Sequence, residues 1–210
     1  MKKKLLDKLS SRPCEDEDIF IIVFMHIPIF RFSRSKRVRS CKENPKTAPD
    51  FGYCAAQNQA YFRYKLYGIF TVKGAITSFG ISAVNVDDIE YFKDLRTLYR
   101  DCLLLGNNAY LSDPLQLELF KENGLLLKTR MPANQKNYCK QPTIFRKVRK
   151  RIGTVFYQLC DQFRIQKNYA KIFRGFAAPI LAKITGFTLI QYMNKFTFDK
   201  QLNYIKYTLI

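Results

Sequence analysis

Residues 19–30 read IFIIVFMHIPIF, an apolar run without polar alternation, as expected of a strand buried on both faces. The pattern predicts a strand over 19–24 that runs into a turn at Pro28. Residues 45–58 are loop-like. In 61–72, YFRYKLYGIFTV, aromatic and polar residues alternate; after Lys73-Gly74 a second strand follows over 75–82, so the pair reads as a hairpin. Ile89, Phe92, Leu95 and Leu98 then fall on one face of a helix over 87–98.

The centre of the chain is LLLGNNAYLS, a buried strand over 101–105 that ends in the polar turn Gly106-Asn107-Asn108. Ser112-Asp113-Pro114 is a helix start and Asn123-Gly124 a stop, followed by a short buried strand over 125–128. A polar loop with Pro132 and Pro142 spans 129–143 and reads as mobile. Ile152, Val155, Phe156, Leu159 and Phe163 then mark one face of an amphipathic helix with a basic entry. Gly153 lies inside that helix, where glycine costs about 1 kcal/mol relative to alanine and nothing local explains it. Residues 171–194 read as a helix broken or kinked at Pro179, and the last fourteen residues as a small strand or an unanchored end.

Charge changes this picture more than composition does. Lys and Arg number 36 against 17 Asp and Glu, a formal net charge of +19, so the expected partners are polyanions. Arg31, Arg34, Lys36, Arg37, Arg39 and Lys42 crowd a surface loop over 31–42, and Arg146, Lys147, Arg149, Lys150 and Arg151 crowd the helix entry; both read as phosphate-contacting sets. The six cysteines form no CxxC pair, which argues against zinc and a disulfide framework and points to a reducing cytoplasm. The single histidine, His26, lies in an apolar run and reads as a core or loop residue rather than a base. Residues 19–30 are too short to span a bilayer and 175–193 are interrupted by Pro179 and Lys183, so both read as core elements and no membrane partner is expected.

The element order, with an antiparallel hairpin before the first helix, resembles the ribonuclease-H-like fold. More specifically, EDEDIFII, FSRSKRVRSCKEN, TAPDFGYCAAQN, YFRYKLYGIFTVKGAITSFGIS, LLLGNNAYLS, RKRIGTVFYQLCDQF and GFAAPILAKITGFTLIQYMN resemble bacterial insertion-sequence DDE transposases, in particular the IS-nine-eight-two-like group. The resemblance implies an α/β fold in which a mixed sheet, its first three strands antiparallel and its later ones parallel, is flanked by helices. It also implies a DDE domain over 15–210 preceded by a remnant of the family's N-terminal region over 1–14.

Active members of that family bind two divalent ions, usually magnesium, through two aspartates and a glutamate, and use them for DNA cleavage and strand transfer. The first aspartate belongs to a phrase like Ile-Ile-Asp-Ser-Met-Pro, where this chain has Ile21-Ile22-Val23-Phe24-Met25-His26. The second belongs to Gly-Asp-Lys-Gly-Tyr-Leu-Ser, which aligns with Gly106-Asn107-Asn108-Ala109-Tyr110-Leu111-Ser112. The glutamate belongs to Arg-Ile-Glu-Thr, and here the run is Arg151-Ile152-Gly153-Thr154. Val23, Asn107 and Gly153 thus replace all three carboxylates, and the implied protein is an inactive transposase with no metal or cofactor of its own. DNA is the implied partner, with self-association or a mixed complex with an intact transposase, in the cytoplasm at the nucleoid. The alternatives are a non-catalytic DNA-binding protein that interferes with such a transposase, and a decayed product without a role.

Overall fold

The computed structural model describes residues 18–30, 39–54, 59–83, 99–106, 113–129 and 143–206. In chain order the elements are β1 (Ile19–Phe30), a 3₁₀ turn (Pro45–Thr47), β2 (Asp50–Cys54), β3 (Gln59–Thr71), β4 (Ile76–Ala83), β5 (Leu103–Leu105), α1 (Asp113–Asn123), β6 (Leu126–Lys128), α2 (Thr143–Asp161) and α3 (Phe173–Phe196). The predicted helix over 87–98, residues 31–38 of the basic loop and 130–142 of the polar loop lie outside the described residues.

One mixed sheet organises the chain. β1 pairs antiparallel with β3, and β3 antiparallel with β4; on the other side β5 runs parallel to β1 and β6 parallel to β5. This is the ribonuclease-H-like order that the resemblance implies, three antiparallel strands followed by two parallel ones. β2 shares the outer edge of β3 with β4, pairing with residues 59–63 while β4 pairs from Tyr64 onward.

Two local expectations are corrected. β1 does not turn at Pro28 but continues to Phe30, with Pro28 opposite Arg63 and a register shift between Pro28 and Phe30. Proline cannot donate a ladder hydrogen bond, and an irregularity lets the strand pass it. Residues 45–58 also contain β2, whose pairing with β3 depends on a long-range partner that local loop composition cannot reveal.

Helices cover both sheet faces, which is why β1 shows no polar alternation. On one face Ile21, Ile27, Tyr64, Leu66, Phe70 and Leu105 meet Val148, Ile152, Val155 and Leu159 of α2 and Phe176, Ile180, Ile184 and Phe187 of α3. On the other, Phe20, Ile22, Ile69, Leu104 and Leu127 meet Leu119 of α1. Each such side chain contributes roughly 1.5–3 kcal/mol by leaving water.

α3 is uninterrupted at Pro179, contrary to the predicted break. The proline is exposed, and four aromatic and isoleucine side chains on the buried stripe offset its missing N–H. Among the described residues α3 is the one helix long and apolar enough to cross a membrane, yet its stripe enters the core. Lys183 bends back to donate to the carbonyls of Arg164 (2.7 Å) and Lys167 (3.3 Å), and burial lowers its pKa. The segment before β2 holds the helix start, with Glu43 accepting from the Phe173 amide and Cys41 N–H donating to Lys171 at 2.7 Å.

The described part of the tail, residues 197–206, is anchored, not loose. Gln191 Nε2 donates to the Gly74 carbonyl (2.9 Å) and to Asn203 Oδ1 (2.7 Å); Asn203 Nδ2 donates to the Lys73 carbonyl (3.1 Å) and Gln158 Nε2 to the Asn203 carbonyl (2.9 Å). The polar clasp ties the β3–β4 turn to α2, α3 and the tail, with Ile205 fully buried beside it. Gly74 has φ +88°, and a Cβ there would approach Asn203 Nδ2 to 2.8 Å. Gly74→Ala is therefore expected to lower stability by about 2–3 kcal/mol, combining left-handed backbone strain with weakened clasp hydrogen bonds. Urea unfolding checks it; a loss under roughly 0.5 kcal/mol, the range of an ordinary surface substitution, would mean that the clasp is open in solution.

Cys41 and Cys102 are buried free thiols and Cys160 is a half-buried one. Burial, followed by the Asp101 and Asp18 carboxylates, pushes the Cys102 pKa up to about 11, and burial raises the other two. These thiols stay protonated at neutral pH and make poor nucleophiles.

Candidate functional site

Open α/β sheets bind ligands beyond the carboxyl ends of their parallel strands. Here the β1–β5 register ends at Ile21 opposite Leu105, after which β5 stops and β1 continues. Gly106 N–H donates to the Lys128 carbonyl at 2.9 Å, so the chain leaving β5 stays bound to the end of β6. A shallow pocket opens at this edge, lined by Ile21, Leu105, Gly106 and Lys128 from the strands and by Phe145 and Arg149 from α2.

Val23 follows Ile21 by two residues on β1 and faces the same helices, partly buried against the core that holds α2 and α3. Opposite it stands Gly68, over which the Phe70 ring leans so closely that an added Cβ would approach the ring to 2.6 Å. Phe70 in turn meets Phe156 of α2 edge-on, with centroids 5.3 Å apart. The described core against which Val23 packs is apolar. Asn107, two residues beyond Leu105 in sequence, lies outside the described residues.

Gly153 is exposed on α2, one turn beyond Arg149 and three residues before Phe156. A Cβ built there meets nothing within 4 Å. The helix that lines the pocket therefore leaves room for a longer side chain at 153 but supplies none.

Hard divalent cations need anionic oxygen ligands. Val23 and Gly153 carry none, and the pocket's two charged side chains, Lys128 and Arg149, are cations. Among the described residues no three His, Cys, Asp or Glu side chains are grouped to hold a metal. The described residues do not fit a two-metal centre. Three of the described carboxylates lie away from this edge. Asp18 and Asp101 sit at the opposite end of β5, where the Asp18 carbonyl accepts from Leu103 N–H and Asp101 N–H donates to Asn123, while Asp161 is exposed at the far end of α2.

The basic residues of α2 do not act as one face. Arg146, Lys147 and Lys150 are exposed, Arg149 is half-buried at the pocket, and Arg151 donates to the Val72 carbonyl in the β3–β4 turn. In the other set Arg39 and Lys42 are exposed, Lys42 lying 5.2 Å from the Phe62 ring centroid; Arg31, Arg34, Lys36 and Arg37 lie outside the described residues. His26 is a strand residue opposite Lys65, edge-on to Phe24 at 5.2 Å. Lys128 is the pocket residue that sequence reasoning missed, because only the pairing of β6 with β5 brings it to the edge.

A family model described as a transposase DDE domain matches residues 25–177, a stretch that includes positions 107 and 153 and begins two residues after Val23. Among solved structures, the Mos1 transposase paired-end complex with left transposon end is similar at 8% identity and a TM-score of 0.31, over 89% of this chain and 61% of that one. The chain thus spans about three-fifths of the length of that transposase. No curated protein matches.

Proposed function

Because this chain belongs to the family of transposase DDE domains, we propose that it is an insertion-sequence transposase of the IS-nine-eight-two-like kind that has lost DNA cleavage and strand transfer and keeps DNA binding. The observation that carries the proposal is that Val23 packs against the apolar core and Gly153 stands at an open helix position, so neither position offers a carboxylate. Two-metal phosphodiester chemistry needs anionic oxygen ligands, and among the described residues no group of three His, Cys, Asp or Glu could hold an ion. The formal charge of +19 supports the DNA partner through the phosphate backbone.

The unaltered protein is expected to give no nicked or joined product with duplexes that carry the terminal repeats of an insertion sequence, in Mg²⁺ or Mn²⁺, on a gel that resolves single cleavages. Metal-dependent nicking above the level of a buffer control would overturn the proposal. A cellular role fits the same properties: a protein that binds without cutting occupies the ends of an intact element, or joins a mixed complex with its transposase, and lowers the frequency of transposition at the nucleoid. Residues 31–42 and 146–151 are the proposed phosphate contacts.

A further inference from the structure

We infer that the connection between α2 and α3 is a contact for unpaired DNA, in which Tyr169 stacks on a base while Lys167, Lys171 and Arg174 take the flanking phosphates. The inference rests on the reading of the chain as a DNA-binding protein and adds a surface outside the basic sets at 31–42 and 146–151.

Three observations point to it. Tyr169 is 87% exposed, so its ring contributes almost nothing to the packing of this domain. The loop that presents it is nonetheless held in place. Ile165 is fully buried, Asn168 Nδ2 donates to the Phe176 carbonyl at 2.8 Å, and Asn168 Oδ1 accepts from Ala170 N–H at 3.1 Å. Lys183 holds the carbonyls of Arg164 and Lys167 on the other side of the turn. Tyr169 lies between Asn168 and Ala170, so its ring is offered from an ordered backbone and a ligand orders little chain on binding. The third observation is charge. Lys167, Lys171 and Arg174 are exposed, and no acidic residue occurs between Asp161 and Asp199. Glu43, which is brought to the start of α3, is engaged with the Phe173 amide.

An exposed ring among cations fits a polyanion that has aromatic faces of its own. In a duplex those faces are covered by neighbouring bases, whereas an unpaired stretch offers one at every base, and stacking then adds to phosphate neutralisation whatever the sequence. An anionic lipid surface shares the charge, but Tyr169 and the half-exposed Ile172 form a far smaller apolar face than the stripe by which an interfacial helix inserts.

The test is fluorescence anisotropy of the full chain with a labelled oligothymidylate of about 20 nucleotides across a KCl series, with EDTA present throughout. Tyr169→Ala is expected to weaken binding at least about 5-fold without changing the slope of log K against log salt, and Tyr169→Phe, which keeps the ring, to bind like the unaltered chain. Replacing Lys167, Lys171 and Arg174 together by glutamine should lower the slope by about 2, roughly 0.7 for each phosphate of a single strand. Lys121→Gln, at an exposed position of α1 on the other face of the sheet, is the reference and should leave the slope unchanged. Unaltered affinity in Tyr169→Ala, or an unchanged slope in the triple variant, would overturn the inference. Duplex binding without binding to the oligothymidylate would also overturn it and leave the proposed function standing, whereas absence of binding to either DNA would overturn both. Vesicles containing phosphatidylserine supply the second arm: if Tyr169→Ala weakens co-sedimentation with them but not binding to the oligothymidylate, the surface is a membrane contact and the commitment to DNA fails.

Discussion

Val23→Asp alone is expected to lower the unfolding free energy by about 2–3 kcal/mol, because it places a carboxylate among apolar side chains on the central strand. For a chain of this size that is a fall in melting temperature of roughly 5–10 °C. The result changes sign in company. With Asn107→Asp and Gly153→Glu added, three carboxylates are available to share divalent ions, and Mg²⁺ or Mn²⁺ at 100 times its Kd should return about 2.7 kcal/mol to the folded state. Metal-dependent nicking should appear in the triple variant and in none of the single ones, since one carboxylate cannot hold two ions. Thermal melts with and without the ion, followed by the same cleavage gels, read both parts. A triple variant that ignores the ion would show that positions 23, 107 and 153 do not converge.

Phe176→Ala is expected to cost about 3–5 kcal/mol, the range for removing a fully buried aromatic side chain. Phe176 is inaccessible to solvent, and its ring lies 4.7 Å from that of Tyr64 on β3, whose hydroxyl donates to the Thr47 carbonyl at 2.6 Å. The substitution thus opens a cavity where α3, the central hairpin and the turn before β2 meet. Urea titration of the variant beside Leu189→Ala, on the exposed side of α3, separates the two roles of that helix; the reference should stay within about 0.5 kcal/mol of the unaltered chain. Comparable losses at both positions would mean that α3 does not pack as a core helix. The outcome decides whether an apolar run of transmembrane length belongs to the domain.

The parts of the fold that were legible in the sequence are those with a local signature. The hairpin announced itself by alternation before Lys73-Gly74 and the tight turn there, α1 by proline at its start and Asn123-Gly124 at its end, and α2 by an apolar stripe. β2 was invisible because its stability comes from pairing with β3, and the tail because Asn203 gains its meaning only from Gln158, Gln191 and Lys73 across the fold. For the triad, only the family phrases point to Val23, Asn107 and Gly153; without them a valine in a strand is unremarkable, and only the helix glycine breaks a propensity rule. Lys128 was the reverse case, a residue without a motif that reaches the pocket by strand order alone.

The shortness of β6 has its own effect on how the protein behaves among copies of itself. A sheet edge is a row of unsatisfied backbone groups that invites another strand, and long apolar edges seed aggregates. Among the described residues β6 ends the sheet beyond β5 after three residues and closes on Lys128, so an incoming strand finds few hydrogen bonds to make and meets a positive charge at the end of the row. A margin this blunt works against edge-to-edge pairing between copies of the chain.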